Sequence, residues 1–190
     1  MTYRTIADAA LTLTAERGLS GVTIEQIAER SFVSPRTVSN YFPSKEAALL
    51  AAFDTGPDSL LDGLASRPTE EHPLRSVAAV LLDEVRSWDA SRLQLLRDKE
   101  AMLEQYPALV PHRLAQLEQF DGAIRAMIAA RTDSDPATDL QAQLIAGAAT
   151  AALKSSIRLW SVSGGDAADL ASLLERSFDA LSEGLQATAA

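Results

Sequence analysis

Apolar residues recur every three to four positions along most of the chain, which is the spacing of one face of an α-helix. In the first such segment, residues 4–17, Ile6, Ala10 and Leu13 fall on one face, and Gly18 follows as a helix terminator. No stretch alternates apolar and polar residues as a half-buried strand would, and no Asn-Gly hairpin pair occurs. The pattern therefore predicts an all-α fold.

Helix-start signals divide the first fifty residues into short helices. Thr23 followed three residues later by Gln26 has the spacing of a capping box, which predicts a second helix beginning after Thr23. Ser34 is a candidate cap for a third helix because Pro35, which suits the first helical position, follows it directly. Ser44 is a candidate cap for a fourth helix. The second and third helices, separated by three residues, have the organisation of a helix-turn-helix.

The rest of the chain also shows helical periodicity, interrupted by turn-forming stretches. Residues 137–162 are apolar on more than one face, so this long helix must be covered on several sides. It is predicted either to be a central core helix or, together with the last helix, to form a two-fold dimer interface. The predicted helices cover residues 58–65, 74–88, 92–106, 111–131, 137–162 and 166–185, with a break at "TGPD" before them.

The distribution of charge matters more than the net charge of −9. Residues 1–53 carry five basic and five acidic side chains, whereas residues 54–190 carry 12 basic and 21 acidic side chains. An acidic region repels DNA phosphates and a neutral one does not, so any DNA contact is expected within the first 53 residues. Binding there would depend on individually placed contacts more than on bulk attraction.

The predicted third helix has the two faces that a DNA-reading helix needs. Val38 and Phe42 are apolar and spaced to face a core, while the positions between and before them are mostly polar. Arg36 could bind guanine bidentately, and Asn40 could bind adenine in the same way. The alternative is an ordinary solvated helix face. The candidate DNA contacts are Thr23, Ser34, Pro35, Arg36, Thr37, Ser39, Asn40, Tyr41 and Lys45.

Other classes of function find little support in the sequence. The chain contains no cysteine, which excludes disulfides, zinc–cysteine sites and thiol nucleophiles. His72 and His112 are isolated, and neither a glycine-rich phosphate loop nor a Ser–His–Asp set can be identified, so we expect no metal, no cofactor and no enzymatic activity. Without a signal segment or an apolar run of membrane-spanning length, the protein is expected in the cytoplasm with no membrane partner.

Three motifs occur in order within residues 4–53, namely "RTIADAALTLTAERGLSGVTIEQIAERS", "VSPRTVSNYF" and "PSKEAALLAAF". With these spacings the segment resembles the amino-terminal domain of TetR-family transcriptional regulators. The resemblance implies an all-helical homodimer of about nine helices per chain, with a helix-turn-helix DNA-binding domain in residues 1–53. It implies a helical effector-binding and dimerisation domain in residues 54–190. It also implies that Tyr41 and Lys45 contact DNA phosphates.

The chain departs from the family pattern at two positions. The turn, usually Ala-Gly-Val, is Ser31-Phe32-Val33 here, and Ser39 stands where the family usually has an aromatic residue. A turn residue with positive φ suits glycine, so strain is expected at Phe32. One hypothesis is that Phe32 partly refills the space that Ser39 leaves beside the turn. The alternative is that Phe32 packs on the surface of the first helix.

The segment from about residue 74 resembles, more weakly, the effector domains of such regulators. Its large or polarisable side chains are candidates for an effector pocket, although each is more typical of a helical core. These pocket candidates are Trp88, Met102, Tyr106, His112, Gln116, Phe120 and Trp160. Apolar side chains on the last two helices are candidates for the dimer interface, namely Leu153, Ile157, Leu170, Leu174, Phe178 and Leu181.

These observations predict a ligand-responsive, DNA-binding transcriptional regulator that acts as a repressor. It is expected to bind a pseudo-palindromic double-stranded DNA operator as a homodimer and to be released by a small-molecule effector. The alternative is an all-helical dimeric ligand-binding or interaction protein that has lost specific DNA binding.

Overall fold

A computed structural model describes residues 2–53 and 58–184 of the chain. Within these ranges the chain forms ten α-helices, two short 3₁₀ turns and no strand, so the predicted all-α fold is confirmed. The helices are α1 (Thr2–Arg17), α2 (Ile24–Arg30), α3 (Pro35–Tyr41), α4 (Lys45–Ala51), α5 (Asp58–Ala65), α6 (Pro73–Arg86), α7 (Ala90–Gln105), α8 (Val110–Thr132), α9 (Leu140–Ser163) and α10 (Ala167–Ser182).

The ten helices correspond to the ten segments that periodicity predicts, including the short one at Asp58–Ala65, and exceed by one the count of about nine that the family resemblance implies. The 3₁₀ turns are Leu19–Gly21 and Pro107–Leu109. Residues 55–57 of the predicted break "TGPD", and the predicted end of the last helix at residue 185, lie outside the described residues.

Contacts along the chain define two compact units. The first comprises the described residues within 1–55 together with residues 98–115. The second comprises those within 56–97 and 116–190. The amino-terminal unit therefore includes a later segment of the chain, from the end of α7 to the start of α8, in addition to α1–α4.

In the first unit, α1 packs against α2 and α4, and α2 packs against α3. The apolar face predicted for α1 is the one buried, since Ile6 and Leu13 are inaccessible to solvent. Ile27 of α2, Val38 of α3 and Leu49 of α4 complete this core. Each such side chain contributes roughly 1.5–3 kcal/mol when fully buried, so these contacts fix the orientation of α3.

In the second unit, α9 and α10 pack against each other and against α6. The small residues Ala142, Ala146 and Ala149 of α9 are fully buried, which lets neighbouring helices approach closely. Gly63 likewise lets α5 approach α6 closely, because a Cβ at this position would lie 2.7 Å from a methyl carbon of Val80. No helix among the described residues is long and apolar enough to span a membrane.

A polar network ties the segment before α6 to the end of α8. The guanidinium of Arg67 donates to both carboxylate oxygens of Glu71, at 2.7 and 2.5 Å. Ser76 donates to Glu71 at 2.7 Å, and Arg131 donates to the Ser76 hydroxyl at 3.1 Å and to the Glu71 carbonyl at 3.1 Å. The hydrogen bonds from Arg67 and then Ser76 lower the pKa of Glu71 from its ordinary 4.5 to about 2.

This network makes a pH-dependent contribution to stability, which is present at neutral pH and lost in acid. Because the pKa of Glu71 is lower in the folded state, its contribution is complete above pH 4.5 and declines as the pH falls toward about 2. We expect Glu71→Gln to lower the urea midpoint at pH 7 and to reduce the stability lost between pH 4.5 and 2. Glu70→Gln, a neighbouring exposed carboxylate, is the matched control. Equal effects of the two substitutions would contradict this assignment.

Candidate DNA-binding site and effector region

The caps predicted for α2 and α3 are present with the expected hydrogen bonds. Thr23 accepts from the Gln26 N–H at 3.3 Å, and the Gln26 side chain accepts from the Thr23 N–H at 3.0 Å, which completes the capping box. The Ser34 hydroxyl accepts from the Thr37 N–H at 3.1 Å, and Pro35 occupies the first turn of α3. Both helices of the helix-turn-helix therefore begin where their side-chain signals predict.

The turn between α2 and α3 is a Schellman motif with phenylalanine in the left-handed position. The Val33 N–H donates to the Ala28 carbonyl at 3.0 Å, and the Phe32 N–H donates to the Glu29 carbonyl at 3.2 Å. Phe32 has φ 55°, as its place in the turn predicts. Because glycine usually occupies this position, the side chain costs about 1–2 kcal/mol of backbone strain.

The side chain of Phe32 is 95% exposed. It therefore neither fills space beside Ser39 nor packs on α1, and both expectations for this ring are wrong. The physical reason is that a left-handed residue closes the turn through its backbone, which leaves its side chain in solvent.

The predicted two faces of α3 are clearly separated in the structure. Val38 is fully buried and Phe42, which follows the helix, is almost so. Thr37 is half-buried, and its hydroxyl lies 2.8 Å from that of Ser34. The remaining candidates of this stretch are exposed, namely Ser34, Pro35, Arg36, Ser39, Asn40 and Tyr41. The structure thus gathers the candidates on one accessible surface, while their contact with DNA stays a prediction.

An aromatic cluster holds the end of α3 against the start of α1. The ring of Tyr3 lies 4.6 Å from that of Phe42 and 6.4 Å, edge-on, from that of Tyr41. Tyr3 was not among the sequence candidates, and its only sequence signal was an aromatic residue at a helix start. Tyr41 remains about half-exposed beside the ring of Tyr3.

Lys45 has an internal role that the motif did not predict. Its ammonium group donates to the carbonyls of Leu19 and Val22, at 2.8 and 2.9 Å. These carbonyls belong to the turn directly before Thr23, so Lys45 joins the start of α4 to the start of α2. Two of its three N–H donors serve these bonds, and a phosphate contact through the third remains a prediction.

We expect Lys45→Ala to lower the free energy of unfolding by roughly 1–3 kcal/mol, because two charge-assisted hydrogen bonds are lost. It should also weaken binding to all DNA duplexes alike, since neither its bonds nor a phosphate contact reads a base. Urea denaturation and fluorescence anisotropy measure the two effects. Unchanged stability would show that the carbonyl contacts do not hold α2 in place.

The candidates for an effector pocket are distributed over both compact units. Met102, Tyr106 and His112 belong to the first, and the remaining candidates belong to the second. His112 lies with Nε2 at 3.3 Å from the hydroxyl of Ser44, the residue that caps α4. This contact builds the start of α8 into the unit that carries α3.

The two tryptophans of the second unit have different surroundings. Trp160 is fully buried, donates from Nε1 to the Asp166 carbonyl at 3.1 Å, and is covered by the Arg97 guanidinium 4.3 Å from the ring centre. Trp88 is half-buried and donates to Glu84 at 3.2 Å. Gln116 and Phe120, both on α8, are half-buried. Trp160 therefore lies in the core of the second unit, where it stabilises the end of α9.

A shallow cavity of about 410 Å³ lies elsewhere in the second unit. Its lining includes Leu140, Leu144 and Ile145 of α9 together with His72 and Gln141, and none of the seven pocket candidates. Among the described residues, no group of three or more His, Asp or Glu side chains could hold a metal ion.

The candidates for the dimer interface are largely covered by their own chain. Ile157, Leu170, Leu174 and Phe178 are buried in the core of the second unit, and Leu153 and Leu181 pack against that core. Their contact with a second chain stays a prediction. The large apolar side chains that α9 leaves exposed are instead Leu140, Leu144, Leu159 and Val162.

The first unit contains a helix-turn-helix with an accessible polar face, and the chain continues as a second helical unit. This combination is typical of a DNA-binding regulator. Residues 6–52 match the family model described as bacterial regulatory proteins, tetR family, and residues 71–186 match the model of the MftR C-terminal domain. The chain belongs to the TetR family of transcriptional regulators. The prediction of a DNA-binding transcriptional regulator is thereby confirmed.

Individual relatives agree with this assignment. The chain is 30% identical over 145 residues to the HTH-type transcriptional regulator TcmR of Streptomyces glaucescens, a match covering 72% of the chain but only 62% of TcmR. It is 27% identical to the HTH-type transcriptional repressor KstR of Rhodococcus jostii strain RHA1, covering 93% and 80% of the two chains. The Thermus thermophilus repressor FadR, solved with lauroyl-CoA, shares the fold with a TM-score of 0.57, at 24% identity and 99% and 97% coverage.

Proposed function

We propose that the protein is a repressor that binds a pseudo-palindromic operator as a homodimer and is released by a small-molecule effector. The observation that carries the proposal is the exposed polar surface of α3, held over the buried Val38. A recognition helix needs this arrangement, because its back must be fixed by packing while its front enters the major groove.

Arg36 and Asn40 are proposed as the base-reading residues of this surface. Both side chains are exposed, and their chemistry suits bidentate contacts with guanine and adenine. Thr23, Ser34, Pro35, Thr37, Ser39, Tyr41 and Lys45 are proposed to position the helix through phosphate and groove contacts. The formal charge supports this placement, since residues 1–53 are neutral and the acidic excess lies in residues 54–190.

Residues 1–53 are proposed as the DNA-binding domain, and residues 54–190 as the effector-binding and dimerisation domain. Within the first compact unit, the His112–Ser44 contact joins the start of α8 to the cap of α4. We propose that an effector shifts the population toward chains in which this segment is displaced and α3 no longer fits its half-site. As a regulator that acts on DNA, the protein is proposed to work in the cytoplasm and to have no enzymatic activity.

Selection from a pool of random duplexes with the purified full-length protein tests this function. We expect an enriched sequence of two inverted half-sites whose centres are about one helical turn, or somewhat more, apart. Sedimentation of the complex should show two chains on one duplex. Failure to enrich any sequence would instead support a dimeric ligand-binding protein that has lost specific DNA binding.

A further inference from the structure

The ring of Phe32 stands in solvent on a rigid backbone. The residue is fixed by the hydrogen bonds from its own N–H to Glu29 and from the Val33 N–H to Ala28. The buried hydroxyl of Ser31 adds a bond of 2.6 Å to a carbonyl one turn earlier in α2. The turn therefore fixes the direction in which the side chain of Phe32 leaves the backbone, and the ring itself is 95% exposed.

Within the part of the chain that the structure describes, no side chain covers the ring of Phe32. Because the ring is exposed, it contributes no hydrophobic stabilisation, and the positive φ strains any residue that has a β-carbon. Among the described residues the other non-glycine residue with positive φ is Asp133, and aspartate tolerates this conformation better than phenylalanine. Strain that is retained without an internal contact points to a role outside the chain.

The location of Phe32 indicates what that role is. Phe32 lies two residues before Ser34, the cap of α3, and the first turn of α3 exposes Pro35 and Arg36. The amino-terminal end of a recognition helix is the end that contacts base edges. Phe32 therefore adds a large exposed apolar group directly before the surface of α3 that is proposed to face DNA.

We propose that Phe32 is an additional DNA-contact residue, whose ring covers apolar surface of the operator next to the bases faced by the first turn of α3. The surface recognised is a thymine C5-methyl group or the edge of a deoxyribose, which are the apolar groups that a duplex presents there. This inference rests on the proposed function, because it requires a duplex against α3.

The test compares wild type with Phe32→Gly and Phe32→Asn, since both replacements accept positive φ and remove the ring. The probe is the duplex obtained by selection with the wild-type chain. We expect roughly fourfold weaker binding per half-site, from the loss of about one buried methyl equivalent, and about fifteenfold weaker binding for a two-fold dimer. Phe32→Gly should unfold at the same temperature as wild type or higher.

Asp133→Gly is the matched control, because it relieves the same kind of backbone strain in the second unit. It should leave DNA affinity unchanged.

Replacing each thymine of the half-site by deoxyuridine distinguishes the two apolar groups. If the methyl is recognised, one replacement will weaken wild-type binding and have no effect on Phe32→Gly. If deoxyribose is recognised, Phe32→Gly will weaken binding to every duplex, and no deoxyuridine replacement will matter selectively.

Wild-type affinity in both Phe32→Gly and Phe32→Asn would overturn the proposal while leaving the proposed function intact. That outcome would also follow if the ring served a protein partner, which is absent from the assay. A wild-type chain that selects no sequence would overturn the proposed function and this inference together.

Discussion

Arg36→Ala is expected to abolish the preference for one base pair in each half-site while leaving the fold intact. Arg36 is exposed in the first turn of α3, so its removal disturbs no core contact. A bidentate contact between arginine and guanine is worth about 1–3 kcal/mol of discrimination. Two symmetric half-sites would therefore lose on the order of thirtyfold or more in affinity.

The measurement is a binding series in which each base pair of the selected half-site is changed in turn. Wild type should discriminate at every contacted position, and Arg36→Ala should lose discrimination at one of them. Arg17→Ala, which removes the same charge from the exposed end of α1, should retain the full base preference. An Arg36→Ala protein that still discriminates at every position would show that another side chain reads the operator.

Trp160→Ala is expected to destabilise the second unit by about 3–5 kcal/mol, because it empties a fully buried aromatic site. The substitution also removes the hydrogen bond to the Asp166 carbonyl and the Arg97 contact. Domains of ordinary stability have only about 5–15 kcal/mol in total, so the urea midpoint should fall sharply.

Trp88→Ala serves as the comparison, since Trp88 is only half-buried and should cost less. The stability of the Trp160→Ala protein also distinguishes two interpretations of Trp160. The sequence suggested that it lines an effector pocket, whereas the structure places it in the core of the second unit. A residue that mainly lines an effector cavity can be truncated with little loss of stability. If Trp160→Ala unfolds like wild type, Trp160 is not the core residue that the structure indicates.

Local features of this fold could be predicted from the sequence because their partners are close along the chain. The capping box of Thr23 and Gln26, the Ser34 cap and the proline after it each involve residues at most three positions apart. The positive φ of Phe32 is similarly local, since it follows from the place of the residue in a three-residue turn. The helices of the first fifty residues were therefore predictable.

Side-chain partners distant in sequence could not be predicted in the same way. Lys45 bonds to carbonyls 26 and 23 residues earlier, and a charged residue at the first position of a helix gives no sign of this. The ring of Tyr3 meets that of Tyr41 only because α1 packs beside the end of α3. Both contacts depend on helix packing, which periodicity alone leaves open.

The apolar stripes of α9 and α10 show the same limit. Periodicity correctly indicates that Ile157, Leu170 and Leu174 are apolar positions that become buried, but not which partner buries them. In the structure they meet residues of their own chain, while Leu144 and Val162 remain exposed on α9. Identifying a subunit interface therefore requires knowing which faces the single chain has already covered.

The most direct test of the central claim is the affinity of the full-length protein for its selected duplex and for a scrambled duplex of the same composition, measured over a range of salt concentrations. We predict binding to the selected duplex at least about a thousandfold tighter at physiological salt, with the logarithm of both affinities falling linearly with the logarithm of salt concentration. Equal affinity for the two duplexes at every salt concentration would contradict a sequence-reading role for α3.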